Sequence, residues 1–285
     1  MAAKHDGDTR VSSDTAGNVR GITDREFEHF RELIFRIAGI SMSPAKKTLV
    51  AGRLGKRLRF HDLASYDDYY RLVTGKGSEQ ELQIAVDLLT TNETHFFREP
   101  KHFDFLRDRI LAVQPSGRAM RIWSAASSTG EEPYSIAMQL ADSLGPAPWE
   151  IVASDLSTQV LEKARLGLYP IRRSEEIPQH YLTRFCLKGI GSQTGSFMVS
   201  RELRARVRFL QVNLNAALPE LGEFDVIFLR NVMIYFDNQT KREVVHRLLP
   251  LLKPGGHLLI GHSESLNGVT DAYKLVMPSI YRKSM

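Results

Sequence analysis

The sequence predicts an α/β protein in two parts: an all-helical N-terminal module and a larger module built on a mainly parallel sheet with helices on both faces. Two patterns carry this. Through residues 23–88 apolar side chains recur at three- and four-residue spacing, the period of an amphipathic helix. From Met120 onward short apolar runs alternate with helical stretches, the arrangement a parallel sheet requires. Between them lies TTNETHFFREP, residues 90–100, whose small polar, aromatic and charged side chains are unusual for a linker. The helical module is placed at residues 21–89, the linker at 90–100 and the second module at 101–285. Residues 1–20, rich in Gly, Ser, Thr, Asp and charge, are expected to be a disordered tail.

In the helical module, Thr23 and Glu26 have capping-box spacing. Phe27, Phe30, Ile34 and Ile37 follow on one face, and Gly39 ends the pattern. Ser43-Pro44 reads as the start of a second helix. On it Val50, Ala51, Leu54 and Leu58 share a face, with Arg53, Lys56 and Arg59 opposite. Further helices are expected at residues 66–74 and 79–89. From Leu33 to His61 there are seven Lys or Arg and no acidic residue, so the basic face reads either as a solvated surface or as a docking site for an anion-bearing partner.

In the second module, strands are expected at residues 121–125, 150–154, 208–212, 224–229 and 257–261, with a terminal hairpin turning at Pro278-Ser279. Helices are expected after the first loop, at 158–165 and at 238–252, the last stopped by KPGG. The stretch 167–206 is too long for a simple helix-to-strand connection, where about 2–6 residues is usual.

In such sheets ligands bind beyond the carboxyl ends of the strands, where strand order reverses. The loop after the first strand carries Ser124, Ala125, Ala126 and Gly130, small enough for close backbone approach. Asp155 ends the second strand, where a carboxylate can accept ribose hydroxyls. The loop has neither GxGxxG nor GxxxxGK[ST], which disfavours a dinucleotide or a nucleoside triphosphate. Glu131 and Glu132 would repel a phosphate and suit an ammonium. A phosphate-free nucleoside with an amino-acid end fits these positions, and S-adenosylmethionine has that chemistry.

Composition narrows the rest. The chain has 285 residues, a net charge of +5 and one cysteine, Cys186, so no intramolecular disulfide can form and a cysteine-built metal site is disfavoured. No apolar run approaches the roughly 20 residues of a membrane-spanning helix. The histidines show no metal-like pairing in the sequence, and no metal is expected. The basic charge suggests an acidic partner, and no RNA-binding motif accompanies it.

Taken together, TTNETHFFRE, WSAASSTGEEPYSIAM, ASD, FLRNVMIYF and KPGGHLLIGHSE, in this order over nearly the whole chain, resemble the CheR-type chemotaxis receptor methyltransferases. The resemblance implies a Rossmann-like methyltransferase domain with an inserted antiparallel β-subdomain at about 168–206. It implies transfer of a methyl group from S-adenosylmethionine to receptor glutamates, giving glutamyl methyl esters and S-adenosylhomocysteine. It matches Asn92, Thr94, Arg98, Glu132, Asp155, Asn213, Leu214, Arg230 and Asn231 to cofactor-contacting positions. Arg98 and Tyr235 match the reaction centre, and the linker then lies across the cofactor cleft. Arg53, Lys56 and Arg59 would dock the methylation helices of membrane chemoreceptors, and the β-subdomain would capture a receptor's C-terminal peptide. A cytoplasmic monomer recruited to chemoreceptor arrays follows from the same likeness. Readings left open by the residues alone are a methyltransferase acting on RNA or a small molecule, and a sensor that binds S-adenosylmethionine without turning it over.

Overall fold

The computed structural model describes residues 20–115 and 117–284. The expected tail, residues 1–20, lies outside them except for Arg20.

Helix α1 (Asp24–Ala38) opens with the full Thr23–Glu26 capping box and closes at Gly39, whose φ of 70° lies in the left-handed region. Helix α2 (Lys47–Phe60) is preceded by a 3-10 turn, Pro44–Lys46, and Ser43 makes no side-chain cap there. Helices α3 (Tyr66–Thr74) and α4 (Glu79–Leu89) complete the module. Phe30, Ile34, Val50, Leu54, Leu58 and Tyr69 are its fully buried centre. The predicted apolar face of α2 is therefore its inner face.

Helix α5 (Pro100–Phe105) follows the linker and loosens into a π turn at Leu106–Ile110. Strand β1 (Met120–Ser124), helix α6 (Glu131–Leu144), strand β2 (Trp149–Asp155) and helix α7 (Thr158–Leu166) come next. The inserted segment forms β3 (Leu168–Pro170), α8 (Gln179–Phe185), β4 (Cys186–Lys188) and β5 (Ser196–Val199). After the short helix α9 (Arg201–Arg204) the main sheet resumes with β6 (Val207–Gln211) and β7 (Phe224–Leu229). Helix α10 (Asn238–Leu248), strand β8 (Leu252–Ile260) and the hairpin β9 (Tyr273–Met277) and β10 (Ile280–Lys283) end the chain.

The seven-stranded sheet runs β6-β2-β1-β7-β8-β10-β9. The pairs from β6 to β8 are parallel, and β10 is antiparallel to both neighbours. Strand order reverses between β1 and β7, which puts the crevice at their carboxyl ends. Successive residues face opposite sides: Ile122 and Ile151 pack with α6, Trp123 and Val152 with α10. The insertion is a separate antiparallel sheet ordered β3-β5-β4. The fold is thus an all-α domain joined to a Rossmann-like α/β domain with a small antiparallel sheet.

Two expected boundaries were misplaced. Helix α10 stops at Leu248 rather than 252, because Pro250 lacks an N–H and disfavours helix at the residue before it. KPGG does not precede β8 but lies within it: the pairing with β7 jumps from Phe224↔Leu252 to Val226↔His257, and the Pro-Gly-Gly residues form the irregularity.

Candidate functional site

The linker is held by its two aromatics. Phe96 is fully buried and meets Tyr169 edge-on at 5.0 Å, so it sits between the main sheet and the insertion. Phe97 stacks on Tyr181 at 5.6 Å, and its N–H donates to Ser135 Oγ at 2.9 Å. Phe97 and Glu99 both have positive φ, 51° and 58°, a conformation that costs non-glycine residues about 1–3 kcal/mol and persists only when surroundings enforce it. This conformation lays residues 91–98 across the sheet's carboxyl edge.

Beneath the linker is a cavity of about 370 Å³, within the range of small-molecule sites. Asn92, Thr94, Arg98, Glu132, Asp155, Asn213, Leu214, Arg230, Asn231 and Tyr235 all line it. Glu131, singled out with Glu132, does not; it is buried and bound by Thr129 Oγ1 at 2.6 Å. Met42 and Lys46, from the α1–α2 junction, and Leu49, in the first turn of α2, form a wall that residue patterning does not reveal. The α-helical module is part of the site.

Asp155 accepts the Ser128 N–H at 2.9 Å and the Ser157 N–H at 3.0 Å, leaving a lone pair on each oxygen for a ligand diol. Burial pushes its carboxyl above the ordinary value against those backbone bonds. Gly130 turns the loop into α6 at φ 97°; a Cβ there would lie 2.8 Å from the Tyr169 hydroxyl. Asn213 Nδ2 donates to the Ile37 carbonyl at 2.7 Å, tying the strand end after β6 to α1.

Arg230, 2% exposed at its side chain, organises the far wall. It donates to Glu132 at 2.8 Å, to Glu99 at 3.0 Å and to the Arg98 carbonyl. Its Nε is buried without a partner in the protein, a donor available to a bound group. Glu99 also accepts from Asn231 Nδ2 at 3.2 Å and the His262 N–H at 3.1 Å. Burial opposes ionisation of Glu99, but Arg230 and these two donors together hold its carboxyl well below the usual range.

Glu99, His102 and His262 place ligand-type atoms within 4.8 Å of one another, so the sequence reading that the histidines lack metal-like pairing is corrected. Residues 99, 102 and 262 are brought together only by the fold. The Arg230 guanidinium already neutralises Glu99 there, and burial, then Arg230, hold His102 down to about 3 and uncharged.

Arg98 makes no ion pair among the described residues; its guanidinium donates to the Glu93 carbonyl at 3.0 Å. Arg98 and Tyr235 both line the cavity, and burial pushes the Tyr235 phenol up against the opposing Arg98 charge. Arg53, Lys56 and Arg59 do not line the cavity. Lys56 and Arg59 are exposed, whereas Arg53 is half-buried and donates to the Leu88 and Thr90 carbonyls at 3.1 and 2.7 Å.

The residues present fit S-adenosylmethionine: a buried carboxylate with spare lone pairs, a second carboxylate at Glu132, and an unpartnered guanidinium nitrogen. Comparisons with known proteins agree. Residues 25–90 match the family model described as CheR methyltransferase, all-alpha domain, and residues 92–281 match CheR methyltransferase, SAM binding domain. The chain is 44% identical over 262 residues to chemotaxis protein methyltransferase 2 of Pseudomonas aeruginosa, covering 91% of this chain and 93% of that protein. It is 43% identical over 266 residues to the chemotaxis protein methyltransferase of Escherichia coli, covering 92% of each. The chain belongs to the CheR methyltransferase family, S-adenosylmethionine-dependent methyltransferases of chemotaxis.

Proposed function

We propose that this chain methylates glutamate side chains on the cytoplasmic helices of membrane chemoreceptors, giving glutamyl methyl esters. The observation that supports this most is the composition of the cavity wall. Arg98 and Tyr235, a cation and a phenol suited to an anionic acceptor, lie beside the nucleoside-type positions. A hydroxyl or ammonium acceptor needs a base; a glutamate, with a reference pKa of about 4.3, is already ionised at neutral pH. S-adenosylmethionine supplies an electrophilic methyl group on a sulfonium.

The chain's own residues bind, orient and exclude water. Asp155 takes the ribose hydroxyls. Glu132 and Arg230 hold the amino-acid end, and Asn92, Thr94, Asn213, Leu214 and Asn231 close around the nucleoside. Arg98 and Tyr235 orient the acceptor carboxylate and move no proton. Arg98 needs only moderate hold, because a strong salt bridge would stabilise the bound carboxylate more than the transition state, where its charge is vanishing. Lys56 and Arg59 dock the acidic helix. The outer edge of β4, with Leu187 61% exposed, offers strand addition to a receptor's C-terminal peptide.

The test is transfer of labelled methyl from S-adenosylmethionine in the presence of receptor-bearing membranes. The expected result is base-labile label on the receptor, reduced at least tenfold by Arg98→Ala. Label appearing only on RNA or a small molecule would replace this reading, and near-normal transfer by the variant would remove Arg98 from it.

A further inference from the structure

We infer that Glu264 is a positioning residue for methyl transfer, its carboxylate fixing the backbone of the segment that presents Asn231 and Tyr235 to the cavity. This rests on the reaction-centre reading of Tyr235 above. Glu264 lies in the turn after β8, outside the cavity wall. One carboxylate oxygen accepts the Gly261 N–H at 2.6 Å and the Asn231 N–H at 3.0 Å; the other accepts the Ile234 N–H at 3.1 Å. Three donors from the exits of two neighbouring strands thus converge on one side chain, which makes no ion pair among the described residues. Burial pushes its carboxyl above the ordinary value, and the opposing pull comes from backbone N–H groups alone, an arrangement of the kind that orients a loop.

The surroundings are shaped for this. Asn231 has φ 56°, a left-handed conformation in a non-glycine residue that needs enforcing. A Cβ on Gly261 would lie 2.5 Å from Asn231 Nδ2, 2.9 Å from its N and 2.9 Å from Glu264 Oε2, so the close approach of the β7 and β8 exits requires glycine there. The segment Met233–Tyr235 is a single 3-10 turn whose N-terminus Glu264 satisfies. Beyond it, the Tyr235 carbonyl accepts the Ser41 N–H at 2.8 Å, the only other fixed point of this backbone toward the helical module among its described backbone–backbone bonds. Removing Glu264 frees the start of this turn, while the Ser41 bond, the Ile40–Phe236 bridge and the packing of Met233 and Phe236 still hold its end.

Glu264→Gln and Glu264→Ala are compared with Tyr235→Phe in the full chain, with membranes bearing a methyl-accepting receptor as acceptor. Glutamine keeps one accepting oxygen but turns an NH2 toward a donor, so it should fall between wild type and alanine. The expected result is a kcat lowered at least tenfold in Glu264→Ala and less in Glu264→Gln, with a smaller rise in the KM for S-adenosylmethionine through Asn231. Amide exchange at Asn231 and Ile234 should accelerate while the sheet stays protected. Unchanged kcat in Glu264→Ala, or a loss matched by the fraction unable to bind S-adenosylhomocysteine, overturns the inference. If Tyr235→Phe is fully active, the reaction-centre reading fails instead; if it is impaired while Glu264→Ala is not, only the positioning role falls.

Discussion

Arg230 and Arg98 are neighbours in sequence-distant segments, yet their surroundings assign them opposite duties. Arg230 sits between two carboxylates with its side chain almost wholly buried. Arg230→Met would strand Glu99 and Glu132 without a counter-charge, a defect that costs about 3–5 kcal/mol in buried pairs. Thermal unfolding of that variant is expected to shift by several degrees, and calorimetry to show weakened S-adenosylhomocysteine binding. Arg230→Lys should recover only part, because an ammonium cannot fork to two carboxylates and a carbonyl. Arg98, with one bond to a carbonyl, is expected to behave in the contrary way. Arg98→Ala should leave the melting temperature within about 2 °C, as surface changes of within about 0.5 kcal/mol do, while turnover falls. A large stability loss in Arg98→Ala would show it to be structural. Asp155 was legible in the sequence because a strand that ends in an acid carries its own positional signal. Glu99, His102 and Glu264 were not, since each acts through partners more than thirty residues away or through backbone N–H groups that no spacing rule reveals.

At the scale of elements, the second helix places its bases in different surroundings. The sequence put Arg53, Lys56 and Arg59 on one face, which is geometrically correct for a helix. Periodicity cannot show that α4 ends beside Arg53, or that its guanidinium satisfies two of the carbonyls left open at that helix terminus. Arg53→Glu is therefore expected to disturb the start of the linker and weaken S-adenosylhomocysteine binding. Lys56→Glu with Arg59→Glu should weaken receptor methylation at low salt and leave cofactor binding unchanged. Equal effects of both on cofactor affinity would refute this division. The same helix carries Arg57, which donates to Glu81 at 2.6 and 2.8 Å beside the Tyr69 hydroxyl. Burial works to raise the Glu81 carboxyl, but Arg57, Tyr69 and His61 lower it from 4.5 to about 2. Because the folded value lies below the ordinary one, the pair adds stability above pH 4.5 that is lost as the pH falls toward 2. Glu81→Gln should flatten stability across that window and cost about 1.5–3 kcal/mol at neutral pH, read by chemical unfolding followed through helical circular dichroism. Helices α3 and α4 begin and end where the sequence reading placed them, at Tyr66–Thr74 and Glu79–Leu89. The end of α10 does not, because the apolar pattern runs on past Pro250 and masks it.

At the scale of the molecule, the cavity has no complete wall in either domain, so cofactor binding and domain docking are one equilibrium. The joint combines apolar packing, Ile40 on the sheet domain and Leu156 on the helical one, with a few polar contacts. Asp87, near the end of α4, accepts the Thr158 N–H at 3.1 Å, the Thr158 hydroxyl at 2.9 Å and the Gln159 N–H at 3.3 Å. A carboxylate of the helical domain thereby sits at the positive N-terminus of α7, a helix of the other domain, where such a charge contributes about 0.3–1 kcal/mol, and up to about 2 when partly buried. Gln83 donates to the Leu156 carbonyl at 3.2 Å, and Gln211 to Gln83 at 2.8 Å, beside Asp155. Any ligand that binds only the docked state stabilises that state by mass action, about 2.7 kcal/mol at a concentration of 100 Kd. Asp87→Ala removes docking energy without touching the cavity wall, and apparent cofactor affinity falls in proportion to the docked fraction that is lost. Wild type is expected to unfold in one calorimetric transition that S-adenosylhomocysteine raises as a whole. Asp87→Ala should bind S-adenosylhomocysteine more weakly and separate the helical domain's unfolding from the sheet's, with saturating ligand merging the two again. If Asp87→Ala keeps wild-type affinity and a single transition, the domains are locked by their apolar contact alone and the linker closes over the cofactor independently of the joint.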